Sequence, residues 1–488
     1  MGSAASVLAQ PQQARAARAA IIGVSVAMFC IQVDFFALNL AIPDMAHDLG
    51  ATTDSVQWVI SGYMLAIASL FILCGRLGDI YGRRVMLLIG IAIFAVSSAL
   101  CAIAPNLPTL IGFRVLSGAG AAMVFPVGIA VISNAFDDAN RARALGLMFG
   151  IANIGTAIGP FLGGGLSQGP GWRWIFWVLV LLSAIAFVIA LGGIVDSRDP
   201  TASRRLDVAG AALLIAGIAS LSYAVDRGDD WGWGSARTIG TFVIAGLLLV
   251  GFWLRESRAH SPLIDLSLFR NLPYVLVMSV GVVANIGFVI LIFIVTLYLQ
   301  GARGLSALLA GVFFLAPATM VALSGPIGAR LKPHFRPTVI MAGAGLVGAV
   351  STLAATYATS WFAFVPLIAL AGFGFGLGWT FANVATQDVV HPERAGEASG
   401  VLLTVLVSFG GFGLAVAATA VAGLQRGGTA VADAYLGTLR VMSLAVVVWV
   451  AAVLAVRALL VRRGLMPPLS MSAPPAEPVS PRSNVTRG

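Results

Sequence analysis

The sequence is short of charge. Only 10% of its 488 residues are Asp, Glu, Lys or Arg, against 59% hydrophobic, where a soluble domain carries about 25% charged residues. That deficit excludes a chain with most of its surface in water and leaves a polytopic membrane protein. Cysteine is scarce too. Cys30, Cys74 and Cys101 all stand in apolar runs without paired or metal-ligand spacing, so they read as packing residues, and neither a disulfide framework nor a metal site is expected. No G-x-x-x-x-G-K-[ST] stretch occurs, which argues against direct drive by a nucleotide. The longest loops carry no constellation of His, Cys, Asp or Glu, so an enzyme is not expected.

What is present is apolar length. Fourteen runs of roughly 20 residues suit membrane spans, at 19–42, 55–74, 85–104, 108–133, 144–167, 174–195, 207–225, 238–254, 273–299, 305–329, 337–358, 361–384, 396–423 and 438–460. The 56 glycines fit close helix packing, because small residues let backbones approach where lipid supplies no hydrophobic drive. An even count puts both termini on one side. Of the 29 Lys and Arg, about 22 fall on that side, about 6 on the other, and Arg114 within a span. The positive-inside rule therefore predicts cytoplasmic termini in a cell membrane, and the near absence of lysine beside abundant arginine suggests a bacterial one. The charge of +9 comes in short clusters between spans, a pattern for orienting the chain in lipid and not for binding nucleic acid.

Residues 1–18 read as an N-terminal tail and 461–488 as a Pro/Ser-rich disordered one. Gly75-Arg-Leu-Gly78 recurs as Gly325-Pro-Ile-Gly328, each ending a span and each followed by basic residues. Two six-helix halves, 19–195 and 273–460, separated by two extra helices and linkers in 196–272, would give that spacing. Internal repeats of this kind mark secondary transporters, with a substrate site between the halves.

Three motifs narrow this. GRLGDIYGRR joins the second and third spans, with Gly75, Asp79, Gly82, Arg83 and Arg84 at restrictive spacing. The fourth span carries Arg114-Val-Leu-Ser-Gly118, and the fifth carries Gly155, Gly159, Pro160, Gly163 and Gly164. Together they resemble the major facilitator superfamily, and with fourteen spans they look like its drug:proton antiporter branch, over roughly residues 19 to 460. The resemblance implies that Asp79 and Arg83 latch one side and govern switching, and that the glycine-proline helix is a hinge or seal favouring export. Ala329 stands where the second repeat would carry the counterpart of Asp79, so any switch there is built differently.

Asp34 interrupts the first span, MFCIQVDFFALNLAIP. An acid in hydrocarbon costs about 2.5 kcal/mol or more, so it calls for a use. It lies about nine residues from Pro43, roughly 13 Å deep, and Arg114 is at similar depth on the fourth span. Burial and a nearby arginine pull a carboxylate's proton affinity in opposite directions. A site alternating between such surroundings can carry a proton; a fixed structural Asp34–Arg114 pair is the alternative. Trp58, Tyr63, Phe288 and Trp379 are candidates for an aromatic substrate pocket. Asn285, one residue from the repeat-equivalent of Asp34, is a candidate polar lining. The expected function is proton-coupled export of small lipophilic or cationic compounds, with no cofactor and no obligatory protein partner. A dedicated exporter of one natural product, or, from another class, a membrane-embedded enzyme or transport-like sensor, stays open here.

Overall fold

The computed structural model describes residues 3–195, 197–198, 207–259, 262–264, 266–305, 307–390 and 394–462. Its long helices are α1 (Ser3–Asp48), α2 (Trp58–Tyr81), α3 (Arg83–Ala102), α4 (Leu107–Ala135), α5 (Asp138–Gln168), α6 (Arg173–Gly193) and α7 (Val208–Asp226). They continue as α8 (Ala236–Glu256), α9 (Leu272–Leu297), α10 (Ala307–Leu331), α11 (Pro337–Ala355), α12 (Trp361–Val389), α13 (Ala395–Arg426) and α14 (Val431–Arg462). All 14 are long and apolar enough to cross a membrane. Most of the 461–488 tail lies outside the described residues.

Helix starts follow local chemistry. Asn106, Asp137, Ser235 and Asn271 each accept a backbone N–H of the first turn through the side chain, which satisfies a donor the helix itself leaves open. Several helix boundaries differ from the sequence reading: α1 already begins at Ser3, inside the segment expected as a tail, α14 begins at Val431, and two further differences bear on the site. α1 runs past Pro43 to Asp48, where the Trp172 indole and Arg173 both donate to the Asp48 carboxylate. Asp34 therefore lies about 14 residues, roughly 21 Å, from the end of its helix. The segment Gly75–Arg84 is not a loop: α2 continues through Asp79 to Tyr81, and Gly82 alone makes the turn at φ 107°, a conformation that favours glycine. Gly82 marks one end of the bundle, the near end, and Asp48 the far end.

Packing repeats with a shift of eight helices. In the first half α1 lies on α5 and α6, α4 on α2 and α3, and α3 on α6; in the second, α9 lies on α13 and α14, α12 on α10 and α11, and α11 on α14. Across the halves α2 meets α13 and α5 meets α10, the exchange a pseudo-two-fold axis produces. The α7–α8 hairpin sits outside this frame, with α7 touching α2 and α13.

The hairpin is tied at its near end. Asp207 accepts the Gly210 N–H at 3.0 Å and takes Nε and Nη2 of Arg255 at 2.7–2.9 Å. Those bonds, Arg255 foremost, hold the Asp207 carboxyl below the usual carboxylate range. A folded-state value lowered in this way stabilises the hairpin above about pH 4, the unfolded value. The contribution is lost as pH falls through the folded value. Protection against hydrogen exchange in the first turn of α7, taken relative to the intrinsic rate at each pH, is expected to fall on acidification below about pH 4, and to be low already at neutral pH in Asp207→Asn. An exchange profile in the variant matching the parent's at every pH would remove the clasp from this account.

Candidate functional site

Asp34 and Arg114 meet. One Nη1 of Arg114 reaches both carboxylate oxygens, at 2.7 and 2.9 Å, and the two residues are 0% and 1% exposed. Arg114 is held from three further directions. Its Nε donates to the Val59 carbonyl at 3.0 Å, the Tyr63 ring lies 4.0 Å from the guanidinium carbon, and the Phe176 ring lies 5.9 Å away. Helices α1, α2, α4 and α6 thus converge on one ion pair. Such burial is tolerated only with pairing and added hydrogen bonds, because taking two ions out of water costs several kcal/mol each, to order of magnitude.

The glycine motif explains how α1 is set. Gly155, Gly159 and Gly163 stand at one-turn spacing on α5, and a Cβ on any of them would collide with α1: with Phe29 and Gln32, with Phe36, and with Ala37 respectively. The stretch of α1 seated in this seam, 29–37, is the one that carries Asp34. Gln32 adds a hydrogen bond to Thr156 at 3.2 Å. Pro160 and Gly164 are half-buried in the same helix. The motif therefore bears directly on where the carboxylate sits.

At the near end a second charged cluster joins the halves. Asp79 accepts Nε and Nη2 of Arg83 at 3.0 and 2.8 Å, and also the Glu397 backbone N–H at 3.0 Å. That N–H belongs to the first turn of α13, where the helix dipole favours an anion. Gly75 lies against the Gly396 carbonyl so closely that no side chain fits. Arg84 donates to the Leu191 carbonyl at 2.7 Å, and Arg76 lies 3.9 Å from Glu397. On the symmetry-related side Gly146 and Gly325 abut, with the Ala329 methyl beside them. This contact is a steric seam of two glycines and an alanine, and the Lys332–Asp388 pair at 2.6 Å follows it at the end of α10.

The aromatic candidates have different neighbours. Trp58 packs on Tyr223 and under Arg227, at 5.6 and 4.3 Å, beside α7. Tyr63 belongs to the ion-pair site. Asn285 donates to the Leu406 carbonyl at 2.7 Å between α9 and α13, and Phe288 packs half-buried on the core of the second half. Trp379 makes an edge contact with Phe149 at 5.2 Å across the halves.

Sequence reasoning singled out neither Glu397 and Gly396 as partners of Asp79 nor Val59 and Phe176 as supports of Arg114. Nothing short-range marks them. Asp79, Glu256 and Glu397 sit at helix ends, where the span boundaries leave them, yet they are 0%, 3% and 2% exposed. Burial at an end depends on which helix abuts it.

A model described as the Major Facilitator Superfamily matches residues 24–414. The chain is 32% identical over 408 residues to the tetracenomycin C resistance and export protein of Streptomyces glaucescens, covering 81% of this chain and 74% of that one. It is 33% identical over 388 residues to the multidrug resistance protein Stp of Mycobacterium tuberculosis, at 78% and 72% coverage. With the multidrug transporter protein MdtP of Bacillus subtilis the figures are 30% over 384 residues, at 77% and 70%. Among solved structures, the human organic anion transporter MFSD10 matches with a TM-score of 0.64 at 16% identity, over 90% of this chain and 99% of that chain, a likeness of fold. With fourteen candidate spans, two packed six-helix halves and relatives that are transporters, the chain belongs to the Major Facilitator Superfamily and is a transporter, not an enzyme.

Proposed function

We propose that the protein exports small lipophilic or cationic compounds in exchange for protons, by alternating access between its two halves. The observation that carries this reading is the sealed Asp34–Arg114 pair, an ionisable group held deep in the first half by four helices. Relatives named for multidrug resistance and for antibiotic export support the substrate class. In this reading both termini are cytoplasmic, as the arginine clusters at the near end favour, and the membrane is a bacterial plasma membrane. The near-end contacts between halves then make this the state closed to the cytoplasm.

Protonation of Asp34 from outside would cancel its attraction for Arg114 and free α1 to move in its glycine seam against α5. Opening at the near end would then expose the carboxyl to the cytoplasm, where substrate binding and proton release are coupled. A cationic substrate can replace the proton electrostatically; a neutral one is coupled through conformation alone. Trp379, Phe288 and Asn285 are the candidates for pocket contacts in the open state, with Trp58 and Tyr63 less directly placed. The energy source is the proton gradient, with no cofactor.

A narrower reading, a dedicated exporter of one natural product, is favoured by the relative named for tetracenomycin C. Both are tested by one panel in a pump-deficient host, scoring susceptibility and efflux of structurally unrelated compounds with and without a protonophore. Resistance of at least about fourfold to several classes, abolished by the protonophore, is expected, a factor corresponding to less than the 1.4 kcal/mol of a tenfold change. Resistance to a single compound selects the narrower reading, and efflux indifferent to the protonophore rules out proton drive.

A further inference from the structure

Where the halves meet at mid-membrane, an aromatic contact is flanked by polar groups that the protein itself leaves unused. Phe149 and Trp379 touch edge to face at 5.2 Å. Phe149 follows the start of α5 at Asp138, and Trp379 precedes the end of α12 at Val389, by a length of helix that puts the contact about 15 Å from the near end. That is the middle of a hydrocarbon core about 30 Å thick. Phe149 is fully buried. Trp379 is only half-buried, although every other residue of α12 in 374–387 is buried, so the uncovered part of its ring lies at the junction of the halves.

Asn153 follows Phe149 by four residues and Gly150 by three, and Asn383 follows Trp379 by four, so each amide shares a helix face with its side of the contact. Because α5 and α12 run in opposite directions, Asn153 stands one turn towards the far end and Asn383 one turn towards the near end. They are 1% and 0% exposed. Asn383 donates its Nδ2 to the Trp379 carbonyl at 3.0 Å, which fixes the amide and leaves Oδ1 as an acceptor. Among the described residues that Oδ1, the Nδ2 of Asn153 and the hydroxyl of Thr386, three residues beyond Asn383, have no hydrogen-bond partner. Buried polar groups without partners are costly, and folded proteins hold few of them.

We propose that Phe149, Trp379, Asn153, Asn383 and Thr386 form a subsite for an uncharged, flat aromatic compound that carries a carbonyl acceptor and a hydroxyl donor. This subsite rests on the export reading, in which the halves part to admit substrate, and it defines the class of compound recognised between them. Parting the halves separates the two rings, and a flat ring system fills the gap against Trp379. Nδ2 of Asn153 then donates to the ligand's carbonyl, Oδ1 of Asn383 accepts from its hydroxyl, and Thr386 can do either. The two amides are about 12 Å apart along the helices. With a hydrogen bond of about 3 Å at each end, the ligand's polar groups stand about 6 Å apart, at opposite edges of a ring system. None of these side chains is charged, so an ionic group brought here gains no partner for its lost water, and the subsite discriminates in favour of neutral compounds.

The test uses the full chain in neutral detergent and measures saturable binding, above micelle partition, of three uncharged probes of one shape. Hydroxymethylanthraquinone has a donor and acceptors, anthraquinone has acceptors alone, and anthracene has neither. The parent is expected to bind them in that order of strength. Asn153→Leu should weaken both quinones by about tenfold, or 1.4 kcal/mol. Asn383→Leu should weaken hydroxymethylanthraquinone alone, to the level of anthraquinone, and neither variant should change anthracene. Leucine matches the amide in size and leaves nothing unpaired, so the ligand-free unfolding temperature of both variants should equal or exceed the parent's. An amide with a structural role only would lower that temperature and weaken all three probes alike. That result, or no saturable binding of any probe to the parent, overturns the subsite. Should one Asn variant fail to fold, the other, on the opposite half, is read by the same criteria. Binding is scored without a pH gradient, so failure here is distinct from efflux indifferent to a protonophore.

Discussion

Replacing Asp34 by Asn is expected to abolish efflux driven by a pH gradient in energised vesicles. The amide keeps the shape and one acceptor for Arg114, but it cannot lose or gain the proton that the proposed cycle requires. It also leaves Arg114, 1% exposed, as a buried cation with no counter-charge. Breaking a buried pair from one side costs about 3–5 kcal/mol, a large part of a total stability of about 5–15 kcal/mol. Protein yield should therefore fall as well, and transport must be scored per inserted molecule. The double variant Asp34→Asn/Arg114→Gln separates the two roles, because a neutral hydrogen-bonded pair removes most of the desolvation cost. Yield should recover in it and coupling should not. If the double variant exports at the parental rate under a pH gradient, the pair is a structural tie and the proton has another carrier.

Loosening the near end should be as visible. Asp79 accepts two hydrogen bonds from Arg83 and one from the start of α13, so it links the halves through a charged acceptor. Hydrogen bonds to charged groups contribute about 1.5–3 kcal/mol each, and 1.4 kcal/mol is a factor of ten in population. Asp79→Asn should then shift the balance towards the form open at this end by about tenfold or more, and Gly75→Leu further, since its side chain would meet the Gly396 carbonyl. Thr404 gives a reporter. It is 4% exposed and donates across the interface to the Ala68 carbonyl at 3.2 Å. In a chain with Cys30, Cys74 and Cys101 replaced, Thr404→Cys should react slowly with a maleimide, and faster by that factor when Asp79→Asn is added. Equal labelling rates with and without Asp79→Asn would mean that the cluster does not hold the halves together.

Several features were legible in sequence for identifiable reasons. The fourteen helices could be counted because each needs its own apolar length, and neither neighbours nor order change that. Gly155, Gly159 and Gly163 announced a close helix contact through their one-turn spacing, although which helix they receive is not written in them. Asp34 and Arg114 stood out because each breaks an apolar run. The extent of α2 is not legible at Gly75, since three glycines within eight residues look like a turn in one dimension; in the fold Gly75 lies against α13 and Gly78 against Val127 of α4 within the helix, and only Gly82 makes the turn.

The sequence by itself determined the membrane class, the number of spans, the two-fold repeat and the deep acid and base, because hydropathy, residue size and charge are properties of each segment alone. Only the tertiary structure decided that Asp34 and Arg114 share hydrogen bonds, that Asp79 serves the first turn of α13, and that Arg457 lies buried against Thr338. Those outcomes depend on contacts between residues 80, 318 and 119 positions apart in the chain. A local pattern has no reach over such separations, and it is the packing of whole helices that fixes which charges lose their water and which find a partner.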